Sequence, residues 1–186
     1  MPSIDEFKSM LTGGGARANQ FRVTIPFPNR ISIALDITKT SFLCSAASLP
    51  GMTLGEIVVP FRGRNIYIAG DRPEFEVWTT TFFNDTDFMI RTALERWNNG
   101  INDLKTNLSI PGVTDPSPIR GTLGYEADLT VEQLDRDGAS IKTYIFRNAY
   151  PLTIGPIELA SATVNELETF EVTWRYHWFE SEGVNF

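Results

Sequence analysis

Between Phe170 and Trp178 every second residue is large and apolar. Phe170, Val172, Trp174, Tyr176 and Trp178 alternate with Glu171, Thr173, Arg175 and His177. A side-chain period of two belongs to a β-strand with one face in a core and the other toward solvent. Burying each of these side chains is worth about 1.5–3 kcal/mol, so the strand must lie against a second layer. The same alternation recurs upstream. Phe21, Val23 and Ile25 oppose Gln20, Arg22 and Thr24; Pro26 to Arg30 then forms a turn, and Ile31, Ile33, Leu35 and Ile37 oppose Ser32, Ala34 and Asp36, which predicts a hairpin. Tyr125, Ala127, Leu129 and Val131 oppose Glu126, Asp128, Thr130 and Glu132. Asp135-Arg136-Asp137-Gly138 reverses the chain, and Ile141 to Phe146 returns beside it.

The centre of the chain reads as strand, tight turn, strand, helix. Ile66-Tyr67-Ile68 stops at Gly70-Asp71-Arg72-Pro73, and a second β-rich run, Phe75 to Phe83, follows at once as the partner of a central hairpin. Asn84, Asp85 and Thr86 then offer N-caps to a helix from about Thr86 to Asn98. Its predicted inner side is Phe88, Met89, Ala93, Leu94 and Trp97, its outer side Arg91, Glu95 and Asn98, and Asn99-Gly100 is the stop. At the start, Ser3-Ile4-Asp5-Glu6 has capping-box form, and Ile4, Phe7, Met10 and Leu11 share one face of a short helix. Gly13, Gly14 and Gly15 detach it, so residues 1–18 are expected to form an arm that orders against a partner.

Ser41 to Ala47 is a further expected strand. Pro50, Gly51, Gly55, Pro60 and Gly63 break up the region that follows, which predicts a long projecting excursion over 50–65. Residues 99–122 are irregular, as are Asn148 to Asn165, and 181–186 form a tail. The expected whole is one mainly β domain over 1–186: an antiparallel two-sheet sandwich or barrel with one flanking α-helix and a short N-terminal helix.

The chemical inventory is thin. Cys44 is the one cysteine, which excludes an internal disulfide and any cysteine-rich metal site. His177 is the one histidine and falls on the polar side of a strand. No pair of acids has a catalytic or Ca²⁺-loop spacing. No catalytic, cofactor-binding or metal-binding residue is therefore assigned, and no enzymatic activity is expected. Sixteen basic residues against 23 acidic ones give a formal net charge of −7, the wrong sign for affinity toward phosphates. Met1 to Leu11 carries Asp5, Glu6 and Lys8 where a signal peptide would be apolar, and no run is long enough to cross a bilayer, so synthesis in a reducing cytoplasm with no membrane anchor is expected. Asp71 beside Arg72 is either an Asx-type turn with a solvated arginine or a pair that fixes the turn for a neighbouring chain.

Four stretches, in order, resemble the tail tube proteins of contractile-tailed bacteriophages. They are Phe42 to Gly51, Val58-Val59-Pro60-Phe61-Arg62-Gly63-Arg64, Ile66 to Asp85 with its Trp78-Thr79-Thr80-Thr81 strand, and Asn165 to Thr173. The similarity covers most of Asn19 to Asn98 and Asp128 to Glu180. It implies a virion protein whose subunits join as hexameric rings stacked into a hollow tube. A contractile sheath would surround that tube, baseplate and tail-terminator proteins would close its ends, and DNA would pass through the lumen without specific binding. It also implies that the 50–65 excursion reaches a neighbouring subunit. Arg62 and Arg64, with Asp71 and Arg72, are the candidates for that contact. An acidic lumen would repel phosphate; Glu126, Asp128 and Glu132, on the polar face of one strand, are candidates for lining it. Two rivals stand beside this: the inner tube of a cellular contractile injection machine, and a monomeric β-sandwich binding module with Phe27, Phe61 and Tyr150 as a ligand patch.

Overall fold

A computed structural model describes residues 3–11, 15–28, 37–115, 124–161 and 164–182. The described chain runs α1 (Ile4–Met10), β1 (Phe21–Thr24), α2 (Ile37–Leu43), β2 (Cys44–Ala47), β3 (Glu56–Phe61) and β4 (Arg64–Ala69). It continues through β5 (Trp78–Phe83), α3 (Met89–Ile101), β6 (Ala127–Leu134), β7 (Ser140–Ile154), β8 (Thr169–Arg175) and β9 (Trp178–Ser181). Mainly antiparallel strand with few helices is the architecture the alternation predicts.

The spine is a long antiparallel ribbon. β7 pairs with β8 through Tyr150–Arg175 to Ile154–Val172, and with β9 through Arg147–Trp178 to Tyr144–Ser181. On its other edge the first part of β7 pairs with β6, which pairs with β1. β8 pairs with β5, and β5 with β2. One leaf is thus β1-β6-β7-β9 and the other β7-β8-β5-β2, with β7 shared by both.

The ribbon bends where it changes leaf. Asn148 takes a left-handed φ of 55° there, a conformation that asparagine tolerates better than most residues. Asp128 secures the bend: one carboxylate oxygen accepts the Asn148 N–H at 3.2 Å and the other lies 2.5 Å from the Arg147 guanidinium. Arg147 reaches Glu180 with its second nitrogen at 2.6 Å. Opposite, Tyr176 and His177 interrupt the partner strand, and His177 N–H donates to the Arg147 carbonyl.

This bend corrects the expected five-residue apolar face. Phe170, Val172 and Trp174 are buried, but the break shifts the faces by one residue, so Trp178 is exposed while Phe179 and Ser181 turn inward. Trp78 of one leaf stacks on Phe146 of the other at 4.3 Å, and Trp174 meets Trp97 of α3 edge-on at 5.6 Å. Two indole N–H groups are satisfied inside: Trp174 donates to the Thr80 hydroxyl and Trp97 to the Tyr125 carbonyl.

Other expectations are met or displaced for identifiable reasons. The α1 capping box forms, with Glu6 N–H on Ser3 Oγ and Ser3 N–H on Glu6 Oε2. The Asp135 turn forms as its residues dictate: the Asp135 carboxylate accepts the Asp137 and Ala139 N–H groups, and Gly138 supplies a φ of 81°. The strand expected over Ser41 to Ala47 is half helix, because α2 runs to Leu43. The second strand of the hairpin after Pro26 falls mostly on 29–36, outside the described residues, as do parts of 99–122 and of the tail. α3 begins at Met89 rather than Thr86. Phe88 holds its N-cap position with φ 53° and no side-chain cap, and Asp87 takes the Met89 N–H instead. Ile90 and Gly100 join its buried side, whereas Phe88 and Met89 stay exposed. Arg91 and Asn98 do not face away. They donate to the Gly155 and Pro151 carbonyls and hold α3 against the edge of β7. That is why β7 continues through Pro151 to Ile154 where irregular chain is expected: among the described residues this part of its edge has no strand beyond it, and a proline without an N–H fits there.

Candidate interaction surface

The tight turn of the central region is not where its residues place it. β4 does not pair with β5. It pairs with β3, from Glu56–Ala69 to Phe61–Arg64, and the reversal is Arg62-Gly63. Both turn residues have positive φ, 47° and 78°, the geometry that matches the twist of a two-residue hairpin. The expected projecting excursion is therefore a regular hairpin with its turn near the predicted outer limit. Its root is a close backbone approach: Gly55 N–H donates to the Asp71 carbonyl at 2.9 Å, and Gly70 N–H to the Gly55 carbonyl at 2.8 Å. A Cβ on Gly55 would sit 2.8 Å from that Asp71 oxygen, so a side chain does not fit.

Directly paired residues of an antiparallel ladder share a face. One face of the hairpin therefore carries Ile57, Val59, Phe61, Ile66 and Ile68, ending on Arg64. The other carries Val58, Tyr67 and Pro60. Every residue of β3 and β4 is exposed, with Phe61 at 55% and Ile68 at 51%. A two-stranded hairpin is marginal alone, and an apolar stripe of this length is unusual on an isolated surface. α1 presents the same imbalance, since Ile4, Phe7 and Met10 are all more than 60% exposed.

The sequence candidates cluster on this hairpin and its root. Arg62 and Arg64 sit at the tip, with the Arg62 guanidinium 5.4 Å from the centre of the Phe61 ring. Asp71 closes the root through its backbone. Arg72 borders a cleft with Tyr150, Arg175 and His177, on the rim of which Glu74 pairs with Arg175. Among the described residues none of Arg62, Arg64, Asp71 and Arg72 makes an ion pair.

The acidic candidates separate. Asp128 and Glu132 occupy the outward positions of β6, Asp128 against Arg147 and Glu132 at 3.5 Å from Arg22. Glu126 precedes the strand, and its side chain is 2% exposed with His177 Nε2 at 3.4 Å. The aromatic trio Phe27, Phe61 and Tyr150 does not form a patch: Phe27 packs edge-on against Trp97 and Tyr150 against Tyr125, leaving Phe61 alone in solvent.

Two groups are strongly perturbed: Asp87, whose tie to Lys39 the sequence leaves unnoticed, and Cys44, which its apolar neighbours Phe42 and Ala46 mark as a small buried residue. Lys39 of α2 lies 2.6 Å from Asp85 and 2.7 Å from Asp87, tying α2 to the approach of α3. Hydrogen bonds from Asp85 and then Lys39 hold the Asp87 carboxyl down at about 2. Burial pushes the Cys44 thiol up to about 12, so at neutral pH it is a protonated apolar filler. Cys44 bonds to the Ala46 carbonyl while His177 stands by Glu126. Among the described residues no group of three or more His, Cys, Asp or Glu is placed to hold a metal ion, and no helix is long and apolar enough to cross a membrane.

Residues 16–182 match the family model described as phage tail tube protein. The tail tube protein of Serratia phage KSP90 is 29% identical over 178 residues, covering 95% of each chain. Tail tube protein gp19 of Enterobacteria phage T4 is 28% identical over 177 residues, covering 95% of this chain and 98% of its own. Among solved structures, a chain of the anti-feeding prophage baseplate superposes with a TM-score of 0.59 at 16% identity, covering 92% of this chain and 97% of its own. A chain from the sheath-tube complex of the extracellular contractile injection system PVC gives 0.56 at 16% identity, covering 95% and 97%. At such identities the two structures share the fold. With the family model spanning almost all of it, the chain belongs to the phage tail tube protein family, structural components of the virion in contractile-tailed phages.

Proposed function

We propose that this chain assembles with copies of itself into hexameric rings that stack as the inner tube of a contractile tail, a conduit for DNA. The observation that carries the proposal is the β3–β4 hairpin, a folded element with apolar residues on both faces that none of the described residues covers. A neighbouring copy is the surface that would bury it, and many copies related by one rule close a ring or extend a tube. A sheath around the tube, and baseplate and terminator proteins at its ends, are the further partners of this arrangement. Solved assemblies that contain chains of this fold are a baseplate, a sheath/tube terminator and a sheath-tube complex.

The outer face of β6 is the lumen candidate, carried by Asp128 and Glu132 rather than by the buried Glu126. Arg147 and Arg22 offset those two charges, so the face offers DNA neither a row of cations nor a strong local anionic field. With a chain charge of −7, passage without retention follows. Catalysis and a bound cofactor play no part in this function.

Electron microscopy beside light scattering tests the proposal. Rings of about six copies, or stacked tubes with an open lumen, are expected. A compact monomer at every concentration and salt tested would overturn it.

A further inference from the structure

The root of the hairpin and a second exposed surface lie at opposite ends of the β7-β8-β5-β2 leaf. The hairpin root adjoins the Trp78 end of β5: Trp78 Nε1–H donates to the Ser48 carbonyl, and Ser48 to Gly51 and Pro73 to Val77 meet there around Tyr176. The other end is where Phe83 pairs with Thr169 and where Gly155 N–H reaches the Glu171 carbonyl. From it leaves the connection between β7 and β8. Pro156, Leu159 and Ala160 on one side and Leu167 and Thr169 on the other enclose a cleft of about 460 Å³. Leu159 is 78% and Leu167 72% exposed, an apolar lining that none of the described residues covers. Glu158, Glu166 and Glu168 edge it. Glu168 is engaged by the Asn84 side chain at 2.9 Å, whereas among the described residues Glu158 and Glu166 have no ion-pair partner.

We infer that this cleft receives the hairpin tip of a second copy, Phe61 seating against Leu159 and Leu167 while Arg62 and Arg64 meet Glu158 and Glu166. The inference rests on the tube reading and names the surface that reading leaves open. Three features converge on it. Among the described residues the tip is apolar and cationic without an acidic partner, and the cleft is apolar and acidic without a basic one, so each supplies what the other lacks. Both are exposed in the single chain. The hairpin root and the cleft lie at opposite ends of a leaf, separated by the roughly 20 Å length of six-residue β5, so the contact can run head-to-tail from one copy to the next. A head-to-tail contact repeats from copy to copy, which a tube requires and a closed dimer does not.

Charge exchange and cross-linking test this together. Arg62→Glu with Arg64→Glu is expected to raise the concentration needed for assembly roughly 10-fold or more, as two attractions become repulsions. Glu158→Arg with Glu166→Arg should do the same, and all four substitutions in one chain should restore assembly toward wild type. Separately, an Arg62→Cys chain and a Leu159→Cys chain, both carrying Cys44→Ala, are mixed in air. They should give a disulfide-linked heterodimer that neither forms with itself. If the wild-type chain assembles while the four-fold variant shows no rescue and the mixed pair no cross-link, this pairing is overturned and the tube reading stands. If the wild-type chain does not assemble and the mixed cysteine variants give no cross-link, both fall.

Discussion

The two leaves around β7 and the β3–β4 hairpin are built from the same kind of residue and treat it in opposite ways. In the leaves Trp78, Phe146, Phe170 and Trp174 are at most 2% exposed, and their polar atoms find partners within the chain. In the hairpin Ile57, Phe61, Ile66 and Ile68 are about half exposed, and the tip arginines find no acid among the described residues. The first region finishes its own folding. The second is folded, with a complete ladder and a correct turn, yet unfinished as a surface. A family that forms tubes needs both: a core that keeps each subunit rigid, and an element whose burial waits for the next copy.

The comparison breaks most visibly if a core ring is removed. Trp174→Ala deletes a fully buried indole together with its bond to Thr80, and is expected to cost about 3–5 kcal/mol in the urea unfolding of the dispersed protein. A much smaller loss would mean that the leaves are not the rigid part. The contrasting change is Ile57→Ser with Ile66→Ser on the hairpin. Unfolding of the dispersed protein should shift by less than about 1 kcal/mol, because these side chains are already in solvent. Sedimentation should nevertheless show assembly abolished. A core-sized loss of stability here would erase the distinction between the two regions.

A middle case is the bend. Arg147→Met strands Asp128 and Glu180 beside each other without their shared cation. Since the three side chains are partly exposed, about 1–3 kcal/mol is expected in the same unfolding measurement. Arg147→Lys should recover only part of it, since an ammonium cannot fork between two carboxylates. The smallest effect lies at the α2–α3 tie. The folded Asp87 carboxyl is held below its ordinary 3.8, at about 2, so its contribution is present above pH 3.8 and lost as pH falls toward 2. Asp87→Asn should flatten stability across that window and leave it unchanged in shape at higher pH.

Much of this was legible in the residues, and the failures share a physical cause. β6, the Asp135 turn and the first half of β7 follow from strict alternation and one aspartate whose carboxylate closes its own turn. The α1 capping box is written in Ser3 and Glu6. The errors arise where a long-range partner overrides a local signal. Pro151 reads as a strand breaker, but it lies where, among the described residues, β7 has no strand on one edge and Asn98 takes its carbonyl. Trp178 continues a perfect alternation, yet the ribbon bends at Tyr176 and His177, and one residue of slip exchanges the faces. Arg91 and Asn98 look solvent-facing by helical spacing and instead clamp α3 to β7. Gly70 to Pro73 has strong turn chemistry, yet the hairpin reverses at Arg62-Gly63 because the apolar residues on the two sides of that dipeptide pair in register. The candidate surface was half legible: its arginines and its projection could be named from the sequence, but not the glutamate-edged cleft at the opposite end of the leaf.

The most direct measurement of the central claim is hydrogen exchange on the dispersed and the assembled protein, followed by peptides covering 56–69 and 144–154. The expected result is rapid exchange of the hairpin amides in the dispersed state and strong protection on assembly, while the β7 amides are protected equally in both. Hairpin amides that exchange equally fast in the two states would contradict it, because the apolar ladder would then have no neighbour in the tube.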